Sequence, residues 1–309
     1  MKKESAVNGL SRAIVFCSLT VFFFVVRLLP YGVYRVIAKG CVRLYYRTSG
    51  KLRRNAMESL TIAFGDRLSW EEKERISERS FFNLAEGIAG YLYGNVHSEH
   101  TRRTFIWEGR EHLENALKAG KGAVIPVAHF GPFVWMMRAF IVEGYPTHVV
   151  MRPPRSLAVK DVFLKMAGGF GLDLICSVPL RACVTACFKV LERNELLFMP
   201  VDQNYGAAGR VFVDFFGRKA ATAPGPIVYA LKTDAPVLPA FVLPEQDGRF
   251  RIVIDPPMPI VSRGTERETV VHNTGVMTAR VEQYVGQYPE QWSWMHRRWK
   301  AVPREGELS

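Results

Sequence analysis

Apolar positions are distributed unevenly along the chain, and the unevenness begins near the N-terminus. From Ala13 to Val26 the sequence reads "AIVFCSLTVFFFVV", without a charge, and Arg27-Leu28-Leu29-Pro30 follows. A spanning helix needs roughly 20 apolar residues, so this run is short for one. A secretory signal would place small residues at a cleavage site after the run, and none follows. Instead Arg35, Lys39, Arg43 and Arg47 recur every fourth residue, mostly with apolar or aromatic residues between them. That spacing predicts a helix with a slowly turning basic stripe beside a broad apolar face. Such a helix lies in the membrane interface, its basic side chains reaching for phosphate. Residues 1–50 therefore read as a membrane anchor with a basic interfacial helix, and residues 51–309 as the working domain. A buried hairpin of two core helices is the bland alternative.

Beyond residue 50 the pattern first stays helical. "LSWEEKERISERSFFNLAEGIAGYLYG" places Ser69 and Glu72 in capping-box register ahead of a periodic apolar face, which predicts one long helix. "EHLENALKAGKG" predicts a shorter one, stopped at Gly120. Then the period changes. The short apolar runs "GAVIPVA", "THVVMRP", "LDLICS", "ELLFMPVD", "VFVDFFG", "APVLPAFVL" and "FRIVID" alternate with helical stretches over residues 132–143, 156–169, 181–192 and 224–232. Strands that are apolar throughout, separated by helices, predict a mixed, mostly parallel sheet flanked by helices, an α/β fold. A last helix is expected over residues 266–288, followed by the Trp-rich, basic "PEQWSWMHRRWK".

Composition changes this picture in one respect. The chain has 309 residues, enough for one large α/β domain, but 41 Lys and Arg stand against 29 Asp and Glu, a formal charge of +12. Such a surface favours anionic partners: acidic lipid headgroups, an acidic carrier protein or nucleic acid. No acidic residue occurs between Glu4 and Glu58, so the densest basic run adjoins the apolar N-terminus. A nucleic-acid binder would carry that charge on its globular part, and the membrane is the better match. The dense positive charge after the apolar run also points to the cytoplasmic side. The five cysteines are odd in number and form no C-x-x-C pair, which argues against a disulfide framework or a structural zinc site.

Of seven histidines, only His129 directly follows a strongly apolar strand candidate and precedes a helix candidate, in "VIPVAHFGPFVW". Ligands and catalytic groups of α/β sheets gather at the carboxyl ends of strands, so His129 is the candidate base, with a buried structural imidazole as the alternative. Gly131 permits close backbone approach, and N–H groups near it are candidates to hold an oxyanion. Asp202 and Gln203 end another apolar run. Arg152 leaves a third, where a guanidinium can grip an anion in two-pronged fashion. Gly217 reads as a turn residue and Thr222 as the cap of the helix from Pro224. No serine-hydrolase elbow, P-loop, dinucleotide fingerprint or zinc-protease motif is present.

Taken together and in order, the N-terminal run, "RRNAMESLTIAF", "AHFGPF", "MRPPRS", "FGLDLICS", "MPVDQNYG", "VDFFGRKAATAPGP" and "PEQWSWMHRRWK" resemble the lipid A biosynthesis acyltransferases, the lauroyl and myristoyl transferases. The resemblance spans nearly the whole chain and implies a glycerolipid-acyltransferase-like fold. It implies O-acyl transfer from acyl carrier protein, or acyl-CoA, to a hydroxyl of a lipid A precursor or related bacterial glycolipid. It also implies work at the cytoplasmic face of the bacterial inner membrane, without metal or diffusible cofactor. The catalytic pair it implies is His129 and an acidic residue; Arg152, Gly131, Gln203, Gly217 and Thr222, read from their positions, are the candidates for the substrate side.

In this family the acid lies five positions after the histidine, and here that position is Val134. Valine can neither accept the imidazole N–H nor offset an imidazolium charge. Three readings stay open at this point. Another acid reaches His129 in space, with Asp202 the best candidate; a backbone carbonyl fixes the tautomer in a slower enzyme; or the chain is a non-catalytic lipid-binding homologue. A glycerophospholipid acyltransferase is a further alternative.

Overall fold

The computed structural model describes residues 21, 24–154 and 157–304. The apolar run from Ala13 to Val26 lies largely outside the described residues. Among those described, no helix is long and apolar enough to cross a membrane, so the expected N-terminal membrane helix has no counterpart there.

Four parallel strands form the centre: β2 (Ala123–Val127), β3 (Thr147–Met151), β4 (Leu172–Cys176) and β5 (Leu196–Pro200), in the order β2-β5-β3-β4. β2 is buried throughout and β5 nearly so, as strands covered on both faces must be. Helices α6 (Phe133–Val142), α7 (Leu157–Gly169) and α8 (Leu180–Glu192) provide the crossovers. The chain ahead of β8 (Ala240–Pro244) runs beside β2, with Val124 and Val237 in a parallel bridge. β8 then pairs antiparallel with β9 (Phe250–Ile254), which pairs parallel with β1 (Phe105–Glu108). The expected mixed, mostly parallel α/β sheet is thus present.

The pattern did not announce every element. β1 had no counterpart in it, nor had β7 (Arg218–Thr222), which makes an antiparallel hairpin with β6 (Val211–Phe215). The connection is Phe216-Gly217, both at positive φ, the two-residue turn that suits the twist of a hairpin. Thr222 therefore ends a strand. The following helix α9 (Gly225–Thr233) has Pro224 at its cap position and no side-chain cap, which corrects the capping role expected of Thr222.

Helix α1 (Tyr31–Thr48) lies on α3 (Trp70–Gly94), with α2 (Gly50–Phe64) between them in sequence. Tyr34 Oη donates to Ala89 O at 3.0 Å, Arg35 pairs with Glu86 at 2.6 Å, and Arg43 sits over the Phe82 ring. Two of the four stripe cations thus face α3, while Val33, Val36, Ile37 and Leu44 are exposed. Helix α3 starts with the capping box that Ser69 and Glu72 predict. Its Gly87 and Gly90 bring its backbone against Pro132 and Trp135, at the start of α6. Cores on the two sheet faces centre on Trp135 and Phe140 on one side and on Phe215, Trp292 and Trp294 on the other. The last long helix, α10 (Glu266–Gln287), packs on β6 in the second core.

Candidate active site

The register of the sheet builds the site. β2 and β5 are parallel neighbours in which Val127 stands beside Pro200. Two residues further on, where both strands have ended, His129 meets Asp202. Nδ1 of His129 lies 2.8 Å from Oδ1 of Asp202, and the backbone N–H of His129 donates to Oδ2 at 2.8 Å. The indole Nε1–H of Trp292 donates to the same Oδ2 at 2.7 Å. The carboxylate is therefore fully engaged and has no side-chain exposure, whereas the His129 side chain is 17% exposed. Burial pushes the Asp202 carboxyl up, but the charge and hydrogen bonds of His129, with the charge of His296, outweigh it and hold the group well below the ordinary carboxylate range. An ionised carboxylate on Nδ1 leaves the neutral ring with its lone pair on Nε2, facing outward.

That outward atom meets Gln203. The amide Nε2 of Gln203, an exposed residue, lies 2.9 Å from His129 Nε2 and 3.1 Å from His296 Nε2. The segment after α10 closes the site from behind. Ser293 N–H donates to the His129 carbonyl at 2.9 Å. Buried Arg298 donates to the Gln203 carbonyl at 2.9 Å, to Ala221 O at 2.6 Å and to Thr222 Oγ1 at 2.6 Å. Burial lowers Arg298 to about 10 against the pull of Asp202, which leaves it charged at neutral pH. Asn55 and Ser59 of α2 hold the carbonyls of Met295 and His296. A buried carboxylate, an imidazole oriented by it and a partly open Nε2 form a general-base couple able to deprotonate a hydroxyl.

The family model for the bacterial lipid A biosynthesis acyltransferases matches residues 1–301. The chain belongs to this acyltransferase family. It is 24% identical to a lipid A biosynthesis acyltransferase of Haemophilus influenzae, over 73% of this chain and 69% of that protein. It is 24% identical to the lipid A biosynthesis lauroyltransferase of Escherichia coli, over 89% and 88%. A phosphatidylinositol mannoside acyltransferase of Mycolicibacterium smegmatis is 28% identical over 62% of this chain and 61% of its own.

In this acyltransferase, the residues singled out from sequence fall into two groups. His129, Asp202 and Gln203 come together. Arg152 follows β3 on the same carboxyl edge and is exposed; two strand spacings separate β3 from β2, or roughly 10 Å. The others serve the frame. Gly131 is buried at φ 55°, where a Cβ would stand 2.9 Å from the Val242 carbonyl. Its own N–H donates to Gln291 O at 2.7 Å and so is not one of the N–H groups near it that are free to hold an oxyanion. Thr222 is fully buried beneath Arg298, and Gly217 turns the hairpin at the end opposite Thr222. Val134, half-buried, packs on the core of α6. Among the described residues no group of His, Cys, Asp or Glu is arranged to hold a metal ion. Sequence reasoning missed Trp292, His296 and Arg298 as members of the site. They lie in the stretch "PEQWSWMHRRWK", which carried part of the family resemblance but, without helical or strand period, gave no sign that it returns to His129.

Proposed function

We propose that this acyltransferase moves a fatty acyl chain from a thioester donor to a hydroxyl of a lipid A precursor or related glycolipid, with His129 as general base. The observation that carries the reading is the 2.8 Å contact between His129 Nδ1 and the buried Asp202 carboxylate, which leaves Nε2 directed outward. His129 Nε2 takes the proton of the acceptor hydroxyl while its oxygen bonds to the thioester carbon. The carbonyl electron pair moves to oxygen, then returns as the carbon–sulfur bond breaks, and His129 passes the proton to the departing thiolate. Asp202 stabilises the imidazolium in between. In this reading Asp202 fills the role for which position 134 has no carboxylate. Arg152 binds the acceptor's phosphate from the same sheet edge. The names of the relatives support a glycolipid acceptor.

Acyl carrier protein is the proposed donor, with acyl-CoA as its competitor, because an acidic carrier suits a chain of net charge +12. The exposed apolar side of α1, together with the basic N-terminal third, supports work at the inner face of the bacterial inner membrane. The decisive experiment incubates the full chain in mixed micelles with acyl carrier protein thioester and a lipid A precursor, and reads the mass of the lipid. A gain of one acyl group that His129→Ala abolishes is expected. Equal transfer by His129→Ala would end this mechanism. Transfer only from acyl-CoA to lysophosphatidate would move the chain to glycerophospholipid acylation.

A further inference from the structure

The Gln203 amide stands between two imidazoles whose rings meet edge to face, centroids 4.9 Å apart. Because Asp202 takes the Nδ1–H of His129, the neutral ring has no hydrogen on Nε2, and the amide must donate there. An amide nitrogen carries two hydrogens, and the second faces Nε2 of His296 at 3.1 Å. His296 is itself held, its carbonyl accepting from Ser59 Oγ at 3.2 Å and from Arg298 N at 2.9 Å. Burial and the neighbouring His129 push its imidazole down to about 4, against the pull of Asp202. It therefore keeps its lone pair at neutral pH. Resting on the acyl-transfer reading above, we propose that His296 is a positioning residue: it holds the Gln203 carboxamide beside the catalytic lone pair, so that the amide guards His129 at rest and donates to the oxyanion during transfer.

The chemistry of the step reverses the hydrogen bonding at Nε2. At rest, Nε2 accepts from Gln203. Nε2 has a single lone pair, so an acceptor hydroxyl that binds there displaces the Gln203 N–H. Once the hydroxyl surrenders its proton, Nε2 carries a hydrogen and accepts no longer. In the same step the thioester carbonyl oxygen becomes an anion beside the released N–H. His296 still grips the other N–H, so the amide changes one partner without leaving the site. When the intermediate collapses, the electron pair returns to the carbonyl, the thiolate leaves with the proton of His129, and Nε2 can accept from Gln203 again. A donor whose best acceptor exists only in the transition state raises turnover rather than substrate binding. Gly131 cannot serve instead, since its N–H is spent on Gln291.

The experiment compares the full chain with His296→Leu, His296→Gln, Gln203→Ala and the Gln203→Ala/His296→Leu double variant, measuring kcat and the acceptor KM. Removing one oxyanion donor costs on the order of 100-fold in kcat, and His296→Leu is expected to lose at least about tenfold at little-changed KM. His296→Gln places an acceptor oxygen near the former Nε2 and recovers most of the loss. In the Gln203→Ala background, His296→Leu adds little, because the amide it positions is gone. Multiplicative losses in the double variant, or His296→Gln as impaired as His296→Leu, overturn the proposal. So does His296→Leu activity within about twofold of the parent, judged against the donor effect. If the parent transfers no more than His129→Ala, the acyl-transfer reading falls and this inference with it. An active, His129-dependent parent that is indifferent to His296 sinks this inference alone.

Discussion

Asparagine at position 202 would keep the shape of the carboxylate and lose its chemistry. The carboxylate accepts from His129 Nδ1, from the His129 N–H and from Trp292 Nε1. A carboxamide turns two hydrogens on at least one of these donors, forcing either the wrong imidazole tautomer or an unpaired buried donor. The corresponding change in the serine-protease triad lowers turnover by about 10⁴. Asp202→Asn is expected to lose on the order of 10³–10⁴ in kcat at nearly constant acceptor KM, read in the same lipid assay. Retention of more than about a tenth of the activity would deny Asp202 the orienting role, given that precedent. His296 makes a separate, pH-dependent contribution. Its folded value, about 4, lies below the ordinary 6.5, so between those limits the unfolded chain binds the extra proton. Stability then falls as pH drops from about 6.5 to 4, by on the order of 3 kcal/mol. Asp202 acts in a lower window, losing its contribution only as pH falls below the ordinary carboxylate value of 3.8. Denaturant titrations of His296→Gln, which cannot take up that proton, should show a shallower slope than the parent over pH 4–6.5. Identical slopes would contradict this. At this scale His129 and Asp202 were legible because each follows an apolar strand. His148 shows the limit of such reasoning. It also touches carboxylates, Glu195 at 2.8 Å and Asp173 at 3.6 Å, but on the amino edge of the sheet, where sequence spacing alone gives no distinction. The approach of His296 was invisible, because it depends on the path of the chain after α10.

Two glycines on helices measure how tightly the elements around the site are set. A Cβ on Gly90 would lie 2.0 Å from the Trp135 ring, and Trp135 is fully buried in the first turn of α6, close after His129. Gly90→Ala gains about 1 kcal/mol of helix propensity but must part α3 from α6, and overpacking costs typically 1–3 kcal/mol. The clash wins, so the variant is expected to unfold at lower temperature and to lose activity in step. Gly40, in the middle of α1, meets nothing within 4 Å. Gly40→Ala is expected to stabilise by roughly 0.5–1 kcal/mol without touching activity. Thermal melts that rank the two variants in the reverse order would deny the close packing of α3 on α6. Long elements with clear punctuation, such as α3 with its capping box and the apolar strands β2 and β5, were readable from period and caps. β7 was not. "RKAAT" starts with two charged residues and acquires strand character only from its pairing with β6, a contact that local pattern does not encode.

At the scale of the whole molecule, the proposed work on a lipid acceptor needs a face that meets lipid, and α1 supplies the sharpest expectation. Val36 and Leu44 are 71% and 67% exposed, and Phe24 and Leu28 just before the helix are 62% and 67% exposed. Burying such side chains in an acyl boundary is worth roughly 1.5–3 kcal/mol each. A Lys or Arg at an anionic surface adds about 1 kcal/mol, and salt screens it. Arg35 is already paired with Glu86, so not every cation of the stripe is available. Apolar insertion should therefore dominate, with charge as a salt-sensitive supplement. The full chain is expected to sediment with phosphatidylglycerol-containing vesicles, and binding should survive high salt in part. Val36→Glu/Leu44→Glu should weaken it by at least about tenfold, since two apolar contacts are lost together. Lys39→Glu should weaken it less and mainly at low salt. Vesicle binding indifferent to the Val36 and Leu44 substitutions would place the lipid-facing surface elsewhere, and α1 would then serve only to brace α3.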